Sequence, residues 1–286
     1  MRAMPFDIAN KVAVITGANT GIGRVTARAL ATAGATVIFL CRSEEKTRPV
    51  MAEIEKETGN AKLEFLPCDL TSLSSVAAAA DGIMASGRPI SLLVNNAGVA
   101  GVRGITADGF ELAFGTNHLA HFLLTERLRP AIEGADAARI VNVASTAHYN
   151  AKGIDFAALR QSTPTVVGMA EYAVSKLANV LHAAELARRL PPHVKAYSLH
   201  PGVVGTDIWE RRLGKTIGKL LGAFMLSVED GAKTTIHCCL SDGLDDKNGR
   251  YFDASAEKTP SRPARDEALA AALWRFSEEA LAPYSI

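Results

Sequence analysis

Apolar runs of strand length recur along the chain and alternate with longer segments whose apolar positions repeat at helical spacing. The strand-like runs are Val12–Thr16, Thr36–Cys41, Leu63–Cys68, Ser91–Asn95, Arg139–Ser145 and Lys195–His200. Helix-length segments lie between them at Gly21–Ala33, Glu44–Glu57, Leu73–Ala85, Phe110–Ala131 and Tyr172–Leu190. The runs are apolar on both faces, which predicts a parallel sheet covered by helices on each side. A regular strand–helix succession predicts a doubly wound α/β sheet. No Pro/Gly/Ser linker, internal repeat or low-complexity tract divides the chain, so it reads as one domain over residues 1–286.

Sheets of this kind bind ligands beyond the carboxyl ends of their strands, at the point where the strand order reverses. The residues after each run are therefore the places to look for chemistry. After the first run comes TGANTGIG, Thr16 to Gly23, leading straight into a helix. Gly17, Gly21 and Gly23 suit a tight turn that approaches a pyrophosphate, and Asn19, Thr20 and Ile22 complete the turn. The helix N-terminus then offers N–H groups and positive potential to phosphates. A glycine-rich turn that holds nothing is the plain alternative. At the end of the second run an NAD site usually has Asp or Glu for the ribose hydroxyls. Here stand Cys41, Arg42 and Ser43, with no acid before Glu44. Arg42 can fork onto a 2′-phosphate and Ser43 can add a hydrogen bond, so the sequence favours NADP(H) over NAD(H). Lys46, Arg24 and Arg48 are nearby and less specific.

Seven stretches stand in register with the strand ends: TGANTGIG, CDL with Asp69, NNAG over Asn95–Gly98, FGTNHLAHF with Asn117, VNVAS ending at Ser145, YAVSK over Tyr172–Lys176, and PGVVGT over Pro201–Thr206. Together they resemble the short-chain dehydrogenase/reductase family over essentially the full chain. CRS, GTNHLAHFLLT and the C-terminal tail look particularly like its retinol dehydrogenase-like branch. The resemblance implies a Rossmann-type sheet, with a dinucleotide-binding part over about residues 8–150 and a catalytic and substrate part over about 151–286. It places Asp69 and Leu70 against the adenine, and Asn95, Ala97 and Gly98 beside the adenosine ribose. Pro201, Gly202, Val204 and Thr206 fall at the nicotinamide, the last two meeting its carboxamide.

Tyr172 and Lys176 are four apart and project from one face of a helix. Carbonyl–alcohol interconversion needs an acid at the substrate oxygen, a second donor to hold that oxygen, and a route for the proton. Tyr172 supplies the phenol, and a cation one turn away is expected to lower its pKa from near 10. Lys176 fits that role and can reach the nicotinamide ribose. Ser145, at a strand end, would bond the substrate oxygen. By family resemblance Asn117 would hold a relay water between Lys176 and solvent. Taken singly, each has a plain structural reading: a surface pair, a turn cap, a helix-bending amide. His118, His121 and His148 are assigned no catalytic role. Ser145 and Tyr172 are separated by a longer segment than the commonest family pattern has, and Tyr149 within it lacks a lysine four residues on.

After Gly202, Trp209, Leu213, Ile217, Leu220, Leu221, Phe224 and Met225 make an amphipathic stretch interspersed with Arg and Lys. It reads as a substrate lid, a membrane-surface contact or a packed helix pair. A lid would suit a bulky lipophilic carbonyl or alcohol. The other reading of the chain is a non-catalytic NADP(H)-binding scaffold or redox-sensing regulator, against which the intact Asn117, Ser145, Tyr172 and Lys176 set argues. A formal charge of +1 without a basic tail gives no reason to expect nucleic acid. The four cysteines have no metal-ligand spacing, so neither metal nor disulfide is expected. The apolar run near the start is too short for a membrane span, which points to the cytoplasm. The family often pairs the helices around Asn117 and Tyr172 between subunits, so a homodimer or homotetramer is expected.

Overall fold

Alternate side chains of β1 (Val12–Thr16) and β2 (Thr36–Cys41) face opposite sides of one sheet. Val12 and Val14 join Ile38 and Leu40 in one apolar cluster, while Ala13 and Ile15 join Val37 and Phe39 in the other. Both faces are thus buried, as the unbroken apolar runs predict. The structure, a computed structural model, describes residues 6–202 and 227–284. Within these, β3 (Leu63–Pro67), β4 (Ile90–Asn95), β5 (Ala138–Val143), β6 (Val194–His200), β7 (Tyr251–Asp253) and β8 (Ala256–Lys258) complete the sheet. Its order is β3-β2-β1-β4-β5-β6-β7-β8, parallel throughout except for the last pair.

Helices α1 (Gly21–Thr32), α2 (Glu44–Thr58) and α7 (Val228–Leu240) cover one face. The other is covered by α3 (Leu73–Met84), α5 (Ala120–Glu133), α6 (Met169–Arg189) and α8 (Glu267–Leu281). Local chemistry sets their starts. The Ser43 side chain accepts the Lys46 N–H at 3.3 Å, and Asp266 accepts that of Leu269 at 3.0 Å, each meeting a donor the helix leaves unpaired. The strand order reverses between β1 and β4, which opens the crevice where ligands bind in such sheets.

The expected parallel sheet is present and gains one antiparallel edge strand, because β8 returns on β7 through Ala254 and Ser255, both left-handed at φ 50° and 59°. Two element bounds are corrected. The segment from Phe110 to Ala131 is not one helix: α4 (Leu112–Phe114) passes through a π-helical turn, Gly115–Leu119, into α5. The helix carrying Tyr172 also starts earlier, at Met169. The amphipathic stretch from Trp209 to Met225 lies outside the described residues. Among the described residues no helix is long and apolar enough to cross a membrane.

Candidate active site

The glycine turn closes on itself. Gly17 is left-handed at φ +66°, and a Cβ on Gly23 would lie 2.1 Å from the Gly17 carbonyl oxygen. Any side chain at Gly23 would therefore push α1 off the turn. Thr20 heads α1 without a side-chain cap, so the first N–H groups of the helix, from Gly21 and Ile22 onward, keep their capacity for an anion. The Asn19 amide is tied instead to Thr47 Oγ1 at 3.1 Å. Arg42 is exposed at the end of β2 and makes no ion pair among the described residues, whereas Arg24 is held by Glu53 and Arg48 by Glu44. Of these three arginines, Arg42 is the one available to a phosphate. The cradle and the free guanidinium fit a dinucleotide.

Thr16 joins the carboxyl ends of β1 and β4. Its Oγ1 accepts the N–H groups of Asn96 at 2.9 Å and Ala97 at 3.0 Å, and it contacts His121 Nε2 at 2.9 Å. The other ring nitrogen of His121 lies 3.0 Å from the Asn117 carbonyl. A carbonyl only accepts, so Nδ1 carries the proton and Nε2 accepts from the Thr16 hydroxyl. Sequence reasoning missed Thr16 and Asn96 as members of the site, although both stand inside the motifs named above. Gly98 must stay small: a Cβ there would lie 2.9 Å from Asn117 Oδ1 and 3.5 Å from Lys176 Nζ.

Asn95 departs from expectation. Its side chain is buried and donates to Thr125 Oγ1 at 3.1 Å and Asn142 Oδ1 at 2.9 Å, so it braces β4 from within rather than facing a ribose. Asp69 uses Oδ1 to hold the backbone N–H of Thr71 at 3.0 Å and its hydroxyl at 2.8 Å, and Leu70 is buried beside it. Pro201 and Gly202 follow β6 directly, Gly202 with φ 95°. Val204 and Thr206 lie outside the described residues.

Ser145, Tyr172 and Lys176 converge. The Ser145 hydroxyl faces the Tyr172 phenol closely enough to favour its ionised form, and Lys176 Nζ lies 5.6 Å from the centre of the tyrosine ring. Lys176 is buried, donates to the Val143 carbonyl at 2.9 Å, and is pushed down to about 8 by burial. It therefore remains mostly a cation at neutral pH. Burial pushes the Tyr172 phenol up, and the Ser145 hydroxyl works against that rise. Lys176 lies against the ring face, and the lowering expected of it is expected together with the positive charge of an oxidised nicotinamide ring. Asn117, in the π turn, spends its amide on the protein. Oδ1 accepts the Val99 N–H at 2.8 Å, while Nδ2 donates to the Val99 carbonyl and to Ser175 Oγ, both at 2.9 Å. Its side chain is not free to hold a water.

His118 is a packing residue: it is buried beside Phe114 and Phe122 and bonds Ser277 Oγ at 3.1 Å. A groove of about 850 Å³ among α6, the β7–β8 hairpin and α8 is lined by Arg188, Arg250, Glu257 and Arg265. It contains none of the residues expected to do chemistry.

A parallel sheet whose order reverses at a glycine turn is the Rossmann-type arrangement. Residues 11–215 match the short chain dehydrogenase family, to which the chain belongs. It is 41% identical over 278 residues to retinol dehydrogenase 12 of Homo sapiens, covering 96% of this chain and 87% of that protein. Retinol dehydrogenase 11 of Homo sapiens is 40% identical over 274 residues, covering 95% and 86%. The crystal structure of an uncharacterized protein from Mycobacterium paratuberculosis superposes with a TM-score of 0.77 at 33% identity, covering 96% of this chain and 95% of that one.

Proposed function

We propose that the protein is an NADP(H)-dependent oxidoreductase that interconverts a carbonyl and an alcohol on a bulky lipophilic substrate. The observation that carries this reading is the convergence of the Ser145 hydroxyl and the Lys176 ammonium on the Tyr172 phenol. The glycine turn would hold the pyrophosphate and Arg42 the 2′-phosphate, while Lys176 is within one helical turn of the reacting phenol. A bound nicotinamide would supply the hydride to the carbonyl carbon or accept one from the alcohol, and its oxidised ring would add positive charge beside the buried Tyr172 phenol.

In the reducing direction Tyr172 Oη gives its proton to the carbonyl oxygen as the carbon gains the hydride; in the oxidising direction it takes that proton back. The Ser145 hydroxyl donates to the same oxygen and fixes its position. Lys176 returns the proton to Tyr172 and steers charge onto the phenolate. Because the Asn117 amide is committed to Val99 and Ser175, we assign the relay water to the Asn117 main-chain carbonyl, which also receives the His121 ring N–H.

The lipophilic substrate is supported by two loops that Thr163 and Gly104 join backbone to backbone at 3.1 Å. These loops expose Val102, Ile105, Val166 and Val167 just ahead of Gly168, whose carbonyl accepts the Tyr172 N–H. An apolar rim at this point favours a hydrocarbon-rich molecule. Relatives named as retinol dehydrogenases agree with that class of substrate.

The test is turnover by Tyr172→Phe on a panel of lipophilic aldehydes, ketones and alcohols, followed by NADPH absorbance. The variant should lose at least about a hundredfold in kcat and keep its NADPH affinity. Undiminished turnover would reject Tyr172 as the acid. A parent protein that binds NADPH and consumes none across the panel would be a scaffold.

A further inference from the structure

We propose that His148 is a positioning residue that holds Ser145 in its reactive orientation, a role that rests on the oxidoreductase reading above. His148 lies in the short turn Thr146–Asn150 and is fully buried. Its Nδ1 is 2.7 Å from the Ser145 carbonyl oxygen, and its backbone N–H donates to the same oxygen at 3.1 Å. That oxygen can only accept, so Nδ1 carries the ring proton. On the other side, the backbone N–H of Ser261 donates to Nε2 at 3.1 Å. A peptide N–H can only donate, so Nε2 is bare.

Neither main-chain partner can exchange its role, and the ring is therefore held as one neutral tautomer in one orientation. The other tautomer would set a bare nitrogen against the carbonyl and oppose two hydrogens at Ser261, and a flipped ring would present C–H groups to both partners. The rings of Tyr149, centred 4.1 Å away, and Tyr251, at 4.8 Å, leave it no lateral room. A second tie runs beside the first, since the Tyr149 hydroxyl donates to the Thr259 carbonyl at 2.8 Å. The turn carrying Ser145 is thus stitched at two points to the segment that follows β8.

The consequence falls on Ser145. Its backbone is extended at φ −170° and ψ 155°, and its Oγ accepts the Ala147 N–H at 3.1 Å. With a lone pair so engaged, the hydroxyl proton is left for Tyr172 and the substrate oxygen. The direction of Cα–Cβ follows from φ and ψ, and His148 fixes the plane of the peptide whose carbonyl Ser145 contributes. A loosened clamp lets Oγ swing by a fraction of an ångström, which is enough to spoil a reacting geometry.

His148→Gln and His148→Asn separate the two bonds. The Asn amide nitrogen overlays Nδ1 and keeps the donor to Ser145, whereas the Gln amide overlays Nε2 and keeps only the acceptor for Ser261. The Gln variant should lose on the order of tenfold to a hundredfold in kcat with little change in NADPH affinity. The Asn variant should recover most of that loss, even if both melt earlier than the parent. Equal losses of kcat in the two would overturn the proposal. Nitrogen NMR of the histidine-labelled parent supplies a readout independent of turnover: the signal that disappears in His148→Asn should be an Nδ1–H tautomer. An Nε2–H tautomer there would overturn the clamp outright. If the parent consumes no NADPH with any carbonyl, the oxidoreductase reading fails, and the tautomer alone decides whether the clamp exists.

Discussion

At the end of β2, Arg42 stands where an NAD site usually carries an acid, and its guanidinium makes no ion pair among the described residues while neighbouring Arg24 and Arg48 are occupied. A charge-assisted bond to a 2′-phosphate is worth about 1.5–3 kcal/mol. Arg42→Ala should therefore weaken NADPH about tenfold to a hundredfold and leave NADH nearly unchanged, as read by fluorescence titration of both. If the two dinucleotides weaken equally, Arg42 serves something they share. The identities of such residues are legible in sequence because motif and strand end coincide. Their partners are less so. Asn95 and Asn117 both lie in recognisable motifs, yet their amides are consumed inside the protein by Thr125, Asn142, Val99 and Ser175. Those partners come from distant parts of the chain, and spacing along the sequence carries no trace of them. Burial of the Tyr172 phenol, which pushes its pKa up, is likewise invisible in spacing, whereas the cation at Lys176 is legible there.

On the paired elements α5 and α6, burial makes histidine an acid-sensitive component. Burial pushes His121 down to about 4, with the nearby Lys176 charge also lowering it and the Asn117 carbonyl opposing; burial and the neighbouring His121 push His182 down to about 3. His118 is lowered too, by burial first. In the unfolded chain each ring takes a proton near pH 6.5. Below that pH the unfolded state binds more protons, so stability falls as pH falls. The contribution is complete above about 6.5 and is lost progressively down to about 4 for His121 and about 3 for His182. His121 and His182 each account for a few kcal/mol, since every tenfold drop in proton affinity on folding is worth about 1.4 kcal/mol. Urea unfolding at pH 7.5, 6 and 5 should show a steady loss, and a flat profile over that range would contradict the neutral burial of these rings. The elements themselves are legible where periodicity suffices, as in β1, β2 and α1. The π turn is not, since it depends on Gly115 packing so close to Thr106 that a Cβ would lie 2.5 Å from Cγ2. The β7–β8 hairpin is not either, because three-residue strands and a left-handed Ala254–Ser255 turn lack the Gly or Asn that usually marks such a loop.

Across the whole molecule, the outer face of α5 and α6 is covered by the chain's own last helix. Trp274 of α8 is buried, with its ring 4.7 Å from that of Phe122 and 5.9 Å from that of His182, and the Arg189 guanidinium lies 4.3 Å above it. His118 reaches Ser277 of the same helix, and Phe276 packs on Phe114 and Phe156. At these positions the helices expected to pair between subunits carry α8 of the same chain. An intramolecular contact has a stability that does not depend on protein concentration, whereas one shared between subunits gains from mass action. Trp274→Ala should cost about 3–5 kcal/mol, as expected for a large aromatic removed from a packed core. The unfolding midpoints of parent and variant should be the same at micromolar and at hundred-fold higher protein concentration. A midpoint that rises with concentration in the parent, and stops rising in Trp274→Ala, would place this face between subunits instead. A midpoint independent of concentration in both makes α8 the element that completes the core behind Asn117 and Tyr172.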